Sequence, residues 1–157
     1  MGAMVFDCVG LLQIVVHDDG PPDDDTWSTY MAQTRQMLQR AGGDYGSMAG
    51  LIISDRGVPT PDQRAEFLRF LSGHHLRASL ISRSVLIRAV VASVNIFNPA
   101  MRSFSPDKLG PALRHVGLAP TRHREVLSLL TRLAPRIPTA KTLRDLLIVP
   151  SSVAHPA

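Results

Sequence analysis

The residue types that could carry chemistry are few and widely spaced in this chain. His74 and His75 are adjacent, so on an ordered element their side chains point in different directions, and no cysteine or carboxylate stands near them at the spacing of a zinc site. The single cysteine, Cys8, lies in an apolar run, where a thiol normally serves as packing. We therefore expect the histidine pair to lie in an exposed loop and neither feature to bind a metal.

A second polar feature is a cluster of five aspartates between residues 18 and 25: Asp18, Asp19, Asp23, Asp24 and Asp25. Their oxygens could hold a hard cation, but the spacing of an EF-hand is absent, and the last of them suit the capping of a following helix. The sequence also contains no Gly-x-Ser-x-Gly elbow and no glycine-rich phosphate signature. We expect no catalytic residues, no metal site and no cofactor, and hence not an enzyme.

Composition restricts the class of protein further. The chain has 157 residues, of which 45% are apolar and 19% charged, enough for one domain with a core of its own and no disulfide. Its longest nearly uncharged stretch, 84–101, is interrupted by polar residues and proline, so no membrane span is expected. The apolar run near the N-terminus has no positive charge ahead of it, which argues against a secretory signal and favours a cytoplasmic protein.

Charge is distributed unevenly along the sequence. Residues 1–62 carry nine acids against three arginines, whereas residues 63–157 carry four acids against fourteen bases. The bases are dispersed rather than clustered, and aromatic residues make up only 5% of the chain, too few for base-stacking platforms. We therefore do not expect nucleic acid as the partner, and we interpret the arginines around His115 and His123 as a solvated helix face.

Hydrophobic periodicity predicts an alternation of strands and helices. Short runs rich in Val, Ile and Leu indicate strands, and apolar residues at spacings of three and four indicate amphipathic helices. The predicted strands are 5–9, 11–17, 48–54, 76–82 and 101–104, and the predicted helices are 26–41, 61–71, 84–97, 105–117, 121–134 and 139–147.

This order predicts an α/β fold: a four- to five-stranded mixed sheet with a leading β-hairpin, packed helices and a C-terminal helical extension. We assign residues 1–118 to the α/β domain, 119–149 to the extension packed on that domain, and 150–157 to a disordered tail.

The predicted helix 84–97 differs from the others because it is apolar nearly all round. A helix of this kind is either buried deeply or shared with a partner. We expect the C-terminal helices to cover its outer face. The alternative is an exposed apolar patch used for self-association or for another protein.

Three segments carry a resemblance to a known family. They are 16–19 (Val-His-Asp-Asp), 51–64 (Leu-Ile-Ile-Ser-Asp-Arg-Gly-Val-Pro-Thr-Pro-Asp-Gln-Arg) and 96–106 (Ile-Phe-Asn-Pro-Ala-Met-Arg-Ser-Phe-Ser-Pro). With the order of elements from about residue 11 to 118, they resemble the STAS domain, the fold of anti-sigma-factor antagonists. The resemblance is closest to the STAS/SEC14-like proteins of high-GC soil bacteria such as myxobacteria. It covers about two thirds of the chain and lies mainly in topology.

The resemblance implies a domain that binds other proteins. In antagonist members, a serine after the third strand is phosphorylated by a partner kinase, which breaks the complex. The matching loop here reads Ser54-Asp55-Arg56-Gly57, where those members carry Asp-Ser-Ser/Thr-Gly, and Ser54 is its candidate for phosphorylation.

The sequence thus predicts a non-enzymatic interaction or regulatory module of STAS-like fold. Ligands of open α/β sheets bind outside the carboxyl ends of the strands, so the loops after the third and fourth strands rank first as the partner-binding surface. The candidate residues are Ser54, Asp55, Arg56, Gly57, Arg83 and Ser84. The partner is another protein, with self-association through helix 84–97 as one form. The alternative function is a small-molecule or lipid carrier with an apolar pocket beside that helix.

Overall fold

The computed structural model describes residues 2–94 and 99–148, and over these residues the chain is α/β with a five-stranded mixed sheet. The strands are β1 (Met4–Val9), β2 (Leu12–His17), β3 (Ala49–Ser54), β4 (Arg77–Ile81) and β5 (Met101–Phe104). The helices are α1 (Asp24–Arg40), α2 (Pro61–Leu71), α3 (Val85–Val94), α4 (Leu109–His115), α5 (His123–Leu133) and α6 (Lys141–Ile148). Short 3₁₀ turns precede β3, α4 and α5 and follow α5.

The predicted fold class is confirmed, and most predicted elements agree with the structure to within two residues. Both α2 and β5 begin and end at the predicted residues. The predicted helix 84–97 is observed as Val85–Val94, and positions 95–98 lie outside the described residues. The predicted disordered tail, 150–157, also lies outside them.

Local sequence signals explain where these elements begin. Gly10 has a φ of 59° and makes the tight turn between β1 and β2, a conformation that glycine adopts at low cost. Asp23 caps α1 through its carboxylate, which accepts from the Thr26 backbone N–H. Thr60 and Gln63 form a reciprocal capping box at the start of α2, so this helix starts sharply.

The strands lie in the sheet in chain order, β1-β2-β3-β4-β5. β1 is antiparallel to β2, with Val5 opposite Val16, and the four remaining strands are parallel to one another. Connections between parallel strands are right-handed, so three crossovers that advance in one direction place α1, α2 and α3 on the same face of the sheet.

On this first face, α1 and α2 bury two apolar clusters against the sheet. One joins Trp27 and Met31 of α1 to Met4 and Val15. The other comprises Met37, Met48, Leu71 and Leu76. Between the two helices, the Trp27 indole donates to the Glu66 carboxylate at 2.9 Å, and Arg35 donates to the same carboxylate.

The second face of the sheet is covered by α4, α5 and α6. Their apolar side chains join Ile14, Leu51, Ile53 and Ile81 of the strands in the largest core cluster of the described residues. The fully buried residues contributed by these helices include Leu113, Leu129, Leu130, Leu133 and Leu143. The C-terminal extension is therefore one layer of the core, because without it this face of the sheet would lie in water.

The expectation that the C-terminal helices cover α3 was wrong. They occupy the opposite face of the sheet, and the outer side of α3 is open: Val85 and Leu86 are 70% and 71% exposed, and Val90 is 50% exposed. Within the range whose side chains are described, Val91 is the buried residue of this helix. The structure instead shows the alternative that the sequence left open, an exposed apolar patch on α3.

The role of α5 in the core can be tested with a matched pair of leucines. Leu130 is completely buried and Leu68 on α2 is 66% exposed. We expect Leu130→Ala to lower the free energy of unfolding in urea by about 3 kcal/mol, because the substitution leaves a cavity, and Leu68→Ala to change it by less than about 0.5 kcal/mol. A loss below about 1 kcal/mol for Leu130→Ala would show that α5 is not part of the cooperative core.

Candidate functional site

The six sequence-predicted site residues lie where β3 and β4 end. The neighbouring parallel strand β2 ends at His17, which stands beside Ser54 in the register of the sheet. Loops from three strands thus meet at one edge. The structure adds to them the start of α6.

Asp55 fastens the C-terminal helix to this edge. Its carboxylate is buried, at 3% exposure, and accepts from two backbone N–H groups at the start of α6, those of Lys141 (2.8 Å) and Thr142 (2.6 Å). The first N–H groups of a helix have no partner within the helix and carry its positive end. Asp55 therefore caps α6 from a position 86 residues earlier in the chain.

Neighbouring polar groups complete the same junction. The hydroxyl of Thr142 donates to the Ser54 carbonyl and accepts from the Arg83 backbone N–H, each at 3.2 Å. Thr139 donates to the Asp18 carboxylate at 2.8 Å, and Arg83 pairs with Asp145 at 3.5 Å. The loops that follow β2, β3 and β4 are thus all bonded to one short segment, 139–145.

The loop at Gly57 is closed by its own contacts. The Ser54 hydroxyl is fully buried and donates to the Gly57 carbonyl at 2.7 Å. The Gly57 N–H donates to the Asp18 carbonyl at 2.7 Å, and a Cβ at position 57 would come within 2.6 Å of the Asp18 and Gly20 carbonyl oxygens. Only glycine fits this position without a shift of the backbone.

Four of the six candidate residues are therefore buried or hydrogen-bonded within the fold, and the other two expose their side chains to solvent. Ser54, Asp55 and Gly57 are buried, and the Ser84 hydroxyl accepts from the Ile87 N–H at the start of α3. Arg56 and Arg83 are exposed. Phosphorylation of Ser54 would require the 54–57 loop to open first, since its hydroxyl is out of reach of solvent.

His17 is a buried titratable group at this edge that the sequence analysis did not single out. The side chain is 4% exposed, and its Nδ1 has no hydrogen-bond partner in the described structure. Burial lowers its pKa to about 4, against a weaker opposing effect of Asp18. A buried imidazole of this kind is neutral at pH 7, because the desolvation cost of charging it exceeds its attraction to Asp18.

The other residues considered for chemistry have structural neighbours. His74 stacks on the Tyr45 ring at 4.3 Å, and His115 contacts the Ala100 carbonyl through Nε2 at 2.8 Å. Burial raises the pKa of the Cys8 thiol, whose Sγ lies 3.3 Å from the Met37 sulfur. Within residues 2–94 and 99–148, no group of three or more His, Cys, Asp or Glu side chains is arranged to hold a metal.

Comparison with known proteins returned no family model, no curated protein and no solved structure that matches the chain. Among the described helices, none has both the length and the apolar character needed to cross a bilayer.

The anchoring of α6 can be tested at Asp55. Asp55→Asn keeps the size of the side chain but replaces one accepting oxygen by a donor and removes the charge. We expect it to lower the free energy of unfolding by about 2 kcal/mol and to speed hydrogen exchange in the first turn of α6. Asp145→Asn, at a half-exposed surface pair, is the control and should cost less than about 0.5 kcal/mol. Equal effects of the two variants would contradict this role for Asp55.

His17 predicts a specific loss of stability in acid. The pKa is about 4 in the folded chain and near 6.5 when unfolded, so the unfolded state binds the proton first as the pH falls. The contribution of His17 to the free energy of unfolding is fully present above pH 6.5. It falls by about 3 kcal/mol as the pH is lowered to 4. Urea unfolding between pH 7 and 4 should show a shallower decline in stability for His17→Phe than for wild type, and the wild-type decline for Leu68→Ala, which removes no titratable group. Parallel curves for wild type and His17→Phe would refute the assignment.

Proposed function

We propose that the protein is a non-enzymatic, regulatory protein-binding module of STAS-like fold that works in a bacterial cytoplasm. Its binding surface combines the outer face of α3 with the exposed arginines at the carboxyl ends of β3 and β4. The observation that carries this proposal is the exposure of Val85, Leu86 and Val90 on one short helix.

The chemistry of α3 favours a protein partner. Its range contains one charged residue, Arg88, and that guanidinium is half-buried and donates to the Ser82 carbonyl at 2.8 Å. The outer face thus presents aliphatic side chains to water, and apolar patches of this kind are typical of protein–protein interfaces. Burying these three side chains against a partner would recover part of the hydrophobic free energy that the isolated domain forgoes.

Charge around the surface adds selectivity. Arg56 and Arg83 are exposed beside the junction with α6, and Arg83 forms a half-exposed ion pair with Asp145. In the described part of residues 63–148, each of the four carboxylates, Glu66, Asp107, Glu125 and Asp145, already contacts an arginine or lysine. An incoming acidic partner therefore meets bases in excess, which steers association and adds specificity.

The STAS-like part of the proposal draws on the resemblance of the loops and on the order of elements. That order covers about residues 11–118, the part of the chain from β2 to α4. Regulation by phosphate at Ser54 is the least supported element, because the hydroxyl is buried in the closed loop.

The carrier alternative receives less support from the geometry. The outer residues of α3, Val85, Leu86 and Val90, are exposed to solvent. A cavity of about 150 Å³ lies elsewhere, among residues 134–148, and it is smaller than the pockets that usually hold small organic ligands. Native mass spectrometry of the gently purified chain would reveal a retained small mass if a carrier function exists.

The proposed surface can be tested by charge substitutions. We expect Leu86→Glu and Arg56→Glu each to reduce recovery of the co-purifying partner at least about tenfold, the effect of losing roughly 1.4 kcal/mol of binding free energy. The melting temperature should not change, because both side chains are exposed. The readout is quantitative mass spectrometry of proteins cross-linked to the full chain in cells.

Leu68→Glu is the matched control, since Leu68 is a similarly exposed leucine on α2. Partner recovery that survives both Leu86→Glu and Arg56→Glu would remove this surface from consideration. Light scattering after size exclusion separates the forms of the proposal: a dimer that Leu86→Glu dissociates identifies the partner as a second copy.

A further inference from the structure

β1 forms one edge of the sheet, so one side of its backbone has no neighbouring strand. The register shows which groups face outward. Asp18 donates its N–H to the Ala3 carbonyl, so the backbone polar groups of Ala3 point toward β2. In an antiparallel pair this direction repeats at every second residue, so the backbone N–H and C=O groups of Val5 and Asp7 also point toward β2. The N–H and C=O groups of Met4, Phe6 and Cys8 therefore point away from the sheet.

The contact at Cys8 agrees with this assignment. Its N–H is accepted by the carboxylate of its neighbour Asp7, at 2.8 Å, and not by β2. For Met4 and Phe6, no hydrogen bond on the outer side is found within the described residues. An exposed strand edge with unpaired groups is a template for an additional strand.

A groove runs beside this edge, between β1 and α1. It has a volume of about 700 Å³ and is lined by Asp7 and Cys8 of the strand and by Gln33, Gln36, Gln39 and Arg40 of the helix. The glutamines recur every third residue, so they lie along one side of α1. Gln36 and Gln39 make no side-chain hydrogen bond within the described residues. Each amide can both donate and accept.

We propose that this groove binds an extended peptide segment of a partner protein, which pairs with β1 as a sixth strand. The outward groups of Met4, Phe6 and Cys8 bond to the peptide backbone, and the glutamine row bonds to polar, uncharged side chains on the peptide face toward α1. Asp7 and Arg40 carry opposite charges, so the groove has no net preference for an acidic or a basic peptide. Strand addition of this kind takes its affinity from the main chain and its specificity from alternate side chains.

Asp7 disfavours a second copy of β1 as the occupant. In an antiparallel pair of β1 strands centred on Phe6, the two Asp7 side chains become diagonal neighbours on the same face, about 7–8 Å apart. Two like charges would then lie near each other on one face of the joined strands. An uncharged peptide avoids this repulsion, and Asp7, which is exposed, can turn to water when the Cys8 N–H is taken.

The experiment selects peptides from a phage-displayed random octapeptide library on the immobilised full chain and measures synthetic versions by fluorescence anisotropy. Enriched peptides should be polar and uncharged. Methylation of a backbone nitrogen of the peptide should weaken binding at least about tenfold at every second residue and have little effect at the residues in between. The reason is that only alternate peptide N–H groups face β1. On the protein, hydrogen exchange at the Met4 and Phe6 amides should slow on binding, while the amides of Val5 and Asp7 do not change.

Side-chain variants separate this site from the α3 surface. Gln36→Ala should weaken the peptide several-fold, and Ser28→Ala, at an exposed position on the same helix, should not. Absence of enriched peptides, or N-methylation effects without alternation, overturns the proposal. So does binding that Leu86→Glu abolishes, since the peptide would then occupy α3. A dimer that protects the Met4 and Phe6 amides would instead make a second copy the occupant and overturn the choice of partner.

Discussion

The handedness of strand connections determines how this molecule must be built. With strands in chain order, right-handed crossovers send α1, α2 and α3 to one face of the sheet, and the other face remains apolar and bare. The chain covers that face with α4, α5 and α6, whose leucines complete the largest core cluster. The same geometry leaves α3 at the end of the first layer, where the C-terminal helices cannot reach its outer side.

The second consequence concerns the edge where parallel strands end. In open α/β sheets this edge usually receives the ligand, but here it receives the start of α6, held by Asp55. The Asp55 carboxylate thus occupies the N–H groups at the start of α6, which could otherwise bind an external anion. The proposed partner surface lies at the periphery of this edge and consists of Arg56, Arg83 and the aliphatic face of α3. Such a surface would recognise a partner by shape and charge.

Much of the fold could be predicted from the sequence because its signals are local. The Thr60-Pro61 start of α2 and the apolar run of β3 are read within a few residues of the chain. The candidate loops were also predicted, because ligands of open α/β sheets bind at the carboxyl ends of the strands. The sequence did not show that the start of α6 packs against these loops. Asp55 and Thr142 are 87 residues apart, and nothing in either segment signals that one caps the other. For the same reason the exposure of α3 was predicted only as the alternative to cover by the C-terminal helices. An apolar pattern indicates that a helix buries much of its surface, and the topology determines which elements can pack against it.

The late position of the second helical layer affects synthesis. A ribosome releases β1 to β5 and their first three helices well before α5 and α6 emerge, and domains begin to fold while synthesis continues. Until then the part of this face that α5 and α6 cover exposes its valines and isoleucines to other hydrophobic surfaces. Productive folding then requires residues 119–148 to pack on the sheet before another hydrophobic surface does.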